Sequence, residues 1–206
     1  SKIIVGCPNL NTSAGAIYVY DLDGTNELKI TASDSASYNY FGESIAANGS
    51  KIVVGARGRN SYYGAVYVYD LDGSNESIIT PAITSGSRFG WNVAISASKI
   101  VVGAPELKNS SNVKEGALYT FDLDGTNEAM MQASDRGNYS TFSVFGRTVG
   151  ALGNKTFAGM TNQPVSVNYG AVYQYDMDGS NEVKFTASNP TQGMMYGYSI
   201  ATVVTD

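Results

Sequence analysis

A seven-residue segment recurs four times along this chain. Asp21-Leu22-Asp23-Gly24-Thr25-Asn26-Glu27 returns at Asp70–Glu76, Asp122–Glu128 and Asp176–Glu182, at steps of 49, 52 and 54 residues. Three other signatures recur in phase with it. An aromatic-Gly pair stands at Phe41-Gly42, Phe89-Gly90, Phe145-Gly146 and Tyr196-Gly197. A short run ending in glycine appears at Ile3–Gly6, Ile52–Gly55, Ile100–Gly103 and, less apolar, Thr156–Gly159. Gly15, Gly64, Gly116 and Gly170 each open a β-rich run with alanine. A period near 50 residues restricts the chain to stacked or radial arrays of one supersecondary unit.

Each unit reads as four strands. In the second, Phe89–Ile95 alternates large and small side chains, and Lys99–Gly103 is continuously apolar, as a strand covered on both faces would be. Gly64–Tyr69 is β-branched and aromatic, the composition that suits a pleated surface. Clusters of Gly, Asn, Asp and Ser separate the runs and supply turn conformations. No segment carries a sustained helical period. The expectation is an all-β chain of sixteen short strands, a β-propeller of four-stranded antiparallel blades.

The order aromatic-Gly-x-Ser-x-Ala, then Ile-Val-Val-Gly-Ala-Pro, then Gly-Ala-Val-Tyr-Val-Tyr resembles the FG-GAP repeat. Phe41–Ala46 and Val102–Pro105 carry its two name-giving segments. The resemblance implies the propeller of integrin α-subunits and of many bacterial and phage surface proteins. It extends over one domain, 1–206, with repeats at about 1–49, 50–97, 98–153 and 154–206. Two departures stand out. The connections Ala47–Ser50, Ser96–Ser98 and Leu152–Asn154 are too short and too poor in acids for the calcium loop of integrin-like blades. Such propellers usually have seven blades, and four repeats are present. The last first-strand, Tyr196–Val203, is in phase to close onto Lys2–Gly6 and complete a four-bladed ring without edges. Four blades of a longer array have the same phase.

Composition narrows the function. The chain has no histidine, which removes the commonest general base and metal ligand. Its net charge of −5 and lack of a basic run argue against nucleic acid and anionic membranes. No apolar run is long enough to span a bilayer, and no leader sequence is visible. The single Cys7 has no disulfide partner and occupies the place of Ala56 and Ala104, so a small buried hydrophobe is expected. The Asp-x-Asp-Gly segments have two readings. As hairpin turns they use Asn and Gly for positive φ. As calcium sites they offer oxygens, but seven residues wrap an ion poorly. The turn reading, with no cofactor, is the expectation; a calcium-stabilised propeller is the alternative.

Strand alternation sends the 1–2 and 3–4 connections to one face and the 2–3 and 4–1 connections to the other. Twelve of the eighteen acidic residues lie in the four turns, which makes the first face acidic. The opposite loops differ in every copy and hold aromatic and guanidinium groups suited to recognition. Arg57, Arg59, Tyr62, Tyr63, Arg88, Trp91, Tyr139 and Tyr169 are the expected ligand-binding residues, with no catalytic or metal residue. Glu43, Trp91, Arg147 and Tyr198, each following an aromatic-Gly pair, are expected at the mouth of the central channel. The expected function is a non-catalytic adhesion module at a cell or virion surface, binding a protein or glycan. The alternative is an assembly protein of a fibre or filament that contacts copies of itself.

Overall fold

The structure, a computed structural model, describes residues 1–82, 86–135, 144–161, 169–191 and 193–203. Among them fifteen strands form four antiparallel sheets, taken in chain order. Blade one holds β1 (Lys2–Cys7), β2 (Ala16–Asp21) and β3 (Leu28–Ile30). Blade two holds β4 (Ser44–Ala47), β5 (Lys51–Ala56), β6 (Ala65–Asp70) and β7 (Ser77–Ile79). Blade three holds β8 (Val93–Ile95), β9 (Lys99–Ala104), β10 (Ala117–Asp122) and β11 (Ala129–Met131). Blade four holds β12 (Phe145–Leu152), β13 (Lys155–Met160), β14 (Ala171–Asp176) and β15 (Val183–Phe185). Every sheet is a meander of sequential neighbours. The register repeats as well: Lys51 faces Asp70 and Ala56 faces Ala65, as Lys99 faces Asp122 and Ala104 faces Ala117.

The recurrent glycines explain how blades join. Gly64 has φ +87, and a Cβ there would overlap the Phe89 carbonyl. Gly15, Gly116 and Gly170 stand in the same relation to Phe41, Phe145 and Tyr196, and each of the four pairs forms a parallel bridge. The second glycine of each junction works between blades. The Gly90 N–H donates to Gly103 O at 3.1 Å in blade three, while the Gly90 carbonyl lies against Gly55 in blade two. Only residues without Cβ allow two backbones this close.

The aromatic of each pair then enters the next blade edge-on. Phe41 meets Tyr67 at 5.2 Å, Phe89 meets Tyr119 at 5.3 Å, and Phe145 meets Tyr173 at 5.5 Å, all near-perpendicular. Such edge-to-face pairs add roughly 0.5–1.5 kcal/mol to the area they bury. The central strands are apolar throughout because blades cover both of their faces: Ile52, Val53 and Val54 are fully buried, as are Ile100, Val101 and Val102. The first strands stand side by side. Val93 N–H donates to Ser44 Oγ at 2.7 Å, and Val149 N–H to Asn92 Oδ1 at 3.0 Å.

Among the described residues the sixteenth strand does not form, and no ladder joins the last blade to the first. Tyr198–Val203 lies against β12, where Thr148 Oγ1 donates to Tyr198 O and Thr202 Oγ1 to Ala151 O. Among the described residues it makes no ladder with β1, which pairs with β2. The other first strands are held by the second strand of their own blade, while β1, paired with β2, leaves Ile3 and Val5 exposed. For the same reason Cys7 is half-exposed, whereas Ala56 and Ala104 are fully buried. The only helical segments among the described residues are α1 (Leu10–Ser13) and α2 (Arg59–Tyr62). Their interiors are left-handed: Asn60, Ser61 and Tyr62 have φ of 50, 57 and 69.

These junctions generate a stability ranking. Phe89→Ala should destabilise the protein by about 3–5 kcal/mol, the usual cost of emptying a buried aromatic site. Gly64→Ala should be at least as damaging, since it combines backbone overlap with positive φ. Gly24→Ala, with the same positive φ but open space around it, should cost about 1–2 kcal/mol. Urea unfolding of the three variants checks the order.

Candidate functional site

The acidic turns and the variable loops lie at opposite ends of the strands. Lys51 and Asp70 mark the turn end of blade two, and Ala56 and Ala65 the loop end. At the turn end, every Asp-x-Asp-Gly segment folds alike. Asn26, Asn75, Asn127 and Asn181 all have φ near +55, and the glycines have φ of 81 to 88. Asp23 Oδ1 accepts Thr25 N–H at 3.0 Å and Thr25 Oγ1–H at 2.7 Å, and Asp72, Asp124 and Asp178 repeat the motif. Asp70 accepts from Asn75 at 2.7 Å and from Lys51 at 2.6 Å, a pattern shared by Asp21, Asp122 and Asp176. Glu27, Glu76 and Glu182 accept tyrosine hydroxyls from Tyr20, Tyr69 and Tyr175.

These carboxylates are therefore committed to the turn, and a lysine supplies the local positive charge. Bonds from Thr25, Ser74, Thr126 and Ser180 hold Asp23, Asp72, Asp124 and Asp178 below the usual carboxylate range. Lysine is the larger cause of the same depression at Asp21, Asp122 and Asp176, and Asn75 at Asp70. Among the described residues no group of three or more carboxylates, cysteines or histidines is placed to hold a metal.

At the loop end, one turn geometry recurs at the aromatic-Gly pairs. Glu43 N–H donates to Tyr40 O, Trp91 to Arg88 O, Arg147 to Val144 O and Tyr198 to Met195 O, all at 3.0–3.2 Å. This sets the four variable residues in equivalent places on successive blades. Their side chains build a ladder. The Arg57 guanidinium lies 4.3 Å from the centre of the Tyr40 ring and 4.7 Å from that of Trp91. Arg147 lies 5.6 Å from both Trp91 and Tyr198. Arg88 joins from the side, 5.3 Å from Trp91 and 5.0 Å from Tyr62. Three guanidinium groups thus surround one indole. Each cation–π contact contributes about 0.5–1 kcal/mol where exposed and ~2 kcal/mol where desolvated.

The charges in this cluster are unequally balanced. Arg57 pairs with Glu43. Arg88 Nε lies 3.1 Å from Glu106 Oε1, near enough to form an ion pair though not aligned for a hydrogen bond, and Lys114 shares the other oxygen at 2.9 Å. Arg147 has no carboxylate partner among the described residues. A half-exposed guanidinium between two aromatic faces can take a carboxylate or sulfate by paired N–H donation, while Trp91 and Tyr198 offer faces for a ring.

Of the expected ligand-binding residues, Arg57, Tyr62, Arg88 and Trp91 come together here. Arg59 does not: it binds Asp34 of the preceding blade at 2.7 Å, and Asp34 also accepts the Tyr67 hydroxyl. Its ion pair ties blade two to the end of blade one. Tyr63 lines a separate small cavity of about 290 Å³ with Arg59 and Pro81. Tyr169 lies at the far end of the arc, where its carbonyl accepts Tyr196 N–H at 2.8 Å. Tyr139 lies outside the described residues. Glu106 was not legible as a partner of Arg88, because the two stand on different loops, one before and one after the first two strands of blade three. Tyr38, exposed beside Tyr62 over a groove of about 370 Å³, extends the aromatic surface.

Two measurements test the turn end. The lowered carboxylates contribute stability that is fully present above their unfolded values and is lost as pH falls through the folded ones. With no histidine, the melting temperature should stay nearly flat from pH 8 to 5 and fall below about pH 4. Asp72→Asn should shallow that acid limb. Excess chelator at pH 7 should leave the melting temperature unchanged; a drop of about 10 °C would show that bound metal contributes several kcal/mol.

Comparison with known proteins bears on the fold. The chain matches the family model of the FG-GAP repeat over residues 25–69 and 76–121. Comparison with curated proteins returned no match. Both matched stretches begin within or at the end of an acidic turn and finish on the third strand of the following blade. Each unit of similarity therefore carries the last strand of one blade, the aromatic-Gly junction and three strands of the next.

Proposed function

We propose that the chain is a non-catalytic binding module of the FG-GAP type throughout its four repeats, and that it works through its variable loop face. The ligand is a protein or glycan carrying carboxylate or sulfate groups. The observation that carries this reading is the Tyr40–Arg57–Trp91–Arg147–Tyr198 ladder, in which Arg147 retains a charge that no described carboxylate neutralises. A ladder across three blades offers several weak contacts on a rigid support, the arrangement that suits recognition of an extended acidic chain. Such a module would act at a cell or virion surface, the setting of the repeat family that the sequence resembles.

An array of neutral and acidic glycans and acidic peptides, probed with labelled protein, tests the reading. Acid-bearing ligands should be retained selectively. Trp91→Ala and Arg147→Ala should each weaken that binding by about 1–3 kcal/mol, roughly 5- to 150-fold, with folding intact. Thr25→Ala and Ser74→Ala, on the turn face, should leave it unchanged. Loss of binding in the turn variants alone would move the working surface to the acidic face.

A further inference from the structure

The junction between blades one and two carries a groove on the loop face. It encloses about 370 Å³ between the loops at 36–39 and 58–62. Tyr38 and Tyr62 line it, 56% and 41% exposed. Both have positive φ, 66 and 69, an uncommon state for a bulky residue. Backbone bonds maintain it: Tyr38 N–H donates to Thr12 O at 3.0 Å and Tyr62 N–H to Gly58 O at 3.1 Å. The direction in which each ring leaves the backbone is therefore set before a ligand arrives. The next junction is built differently at the matching positions. Gly86 stands in the place of Tyr38, and Ser87, in the place of Asn39, is fully buried with its hydroxyl donated to Tyr63 O at 3.1 Å.

The groove holds polar groups that the protein leaves unspent. Asn39 is the one buried side chain lining it, 5% exposed, and its amide makes no hydrogen bond among the described residues. An amide this buried needs a partner from outside the chain. Ser37, Asn60 and Ser61 stand exposed around it, also without side-chain partners among the described residues. The backbone, by contrast, is committed. The N–H groups of Tyr38, Asn39, Gly58 and Tyr62 all donate within the protein, which leaves little for a peptide that pairs as an added strand. No charged side chain lines the groove. What remains is two aromatic faces beside amides and hydroxyls that both donate and accept. A sugar ring is the matching chemistry, with an apolar C–H face for a tyrosine ring and hydroxyls that donate and accept in turn. The volume lies near the lower end of the roughly 300–1,000 Å³ of small-ligand sites, as a single ring requires.

We propose that this groove is a subsite for one neutral sugar unit of a glycan, stacked on the Tyr38 or Tyr62 ring and bonded by the Asn39 amide. Tyr62 also lies 5.0 Å from the Arg88 guanidinium, so it joins the groove to the ladder. Acid recognition at the ladder rests on the function proposed above. Taken with it, the groove makes the ligand a glycan that carries a neutral unit beside an acidic one, and not an acidic peptide.

Saturation-transfer NMR of the full chain with the methyl pyranosides of glucose, galactose, mannose and N-acetylglucosamine, at millimolar concentration, tests the subsite by itself. At least one should receive saturation through its ring protons. Tyr38→Ala and Asn39→Ala should each weaken that binding by about tenfold. Tyr38 is exposed, so its variant keeps the test decisive should the Asn39 variant unfold. Thr25→Ala, on the turn face, should leave the signal unchanged. Absence of saturation in all four pyranosides, or undiminished binding in Tyr38→Ala, overturns the inference. On an array, acidic glycans should be held more tightly than acidic peptides of equal charge, and Tyr38→Ala should remove the difference. Equal retention of the two classes overturns the inference while leaving acid recognition at the ladder intact. Pyranoside binding that Tyr38→Ala weakens, with no acidic ligand retained, supports the subsite and discards the ladder as an acid site.

Discussion

Each blade is held to the next by backbone packed on backbone at an aromatic-Gly pair. Gly90 donates to one blade and presses its carbonyl on a glycine of the other, and its neighbour Phe89 enters the space between Tyr119 and Phe121. A side chain on Gly55, Gly64 or Gly90 would part the sheets and withdraw the ring from its site. The buried face of every blade, the order of the sheets and the spacing of the loops all follow from this contact. It is also local in sequence: each junction joins consecutive repeats, so the array can assemble blade by blade.

The same junction sets out the cluster at the loop end. Because the turn that presents Phe89 also presents Trp91, the residue after each pair is delivered to an equivalent point on successive blades. A repeated scaffold thus turns sequence variation into a row of chosen side chains. The row here alternates ring and guanidinium, and its acids, Glu43 and Glu106, neutralise two of the three cations. The aspartates of the opposite end are already bonded to lysine, asparagine, serine or threonine in the service of tight turns. Abundance of acidic residues and availability of acidic residues are separate properties in this protein.

Periodicity made most of the fold legible. Four copies of each signature announce strands, turns and glycine contacts together, and their errors do not coincide. The faces were legible as well, since alternation of antiparallel strands leaves no freedom. Which of the named loop residues meet was less legible. Arg57, Arg88 and Trp91 reach the cluster, but Arg59 is taken up by Asp34 of the neighbouring blade. Nothing in the local sequence separates the two arginines, which stand two residues apart on one loop. Their different fates depend on which residues of another repeat lie within reach.

Blade type, the succession of four repeats and the direction of the loops were determined by the sequence alone, because they rest on short-range geometry that recurs with the repeat. Whether the ends meet was decided only by tertiary structure. The phase of Tyr196–Val203 is right for pairing with Lys2–Gly6, but phase does not set the angle between blades. That angle follows from side-chain packing summed over three junctions; among the described residues β1 pairs with β2, while the last segment rests on β12. So Ile3 and Ile52, in matching apolar runs, end on opposite sides of the boundary between surface and core. Only the presence of a preceding blade separates them.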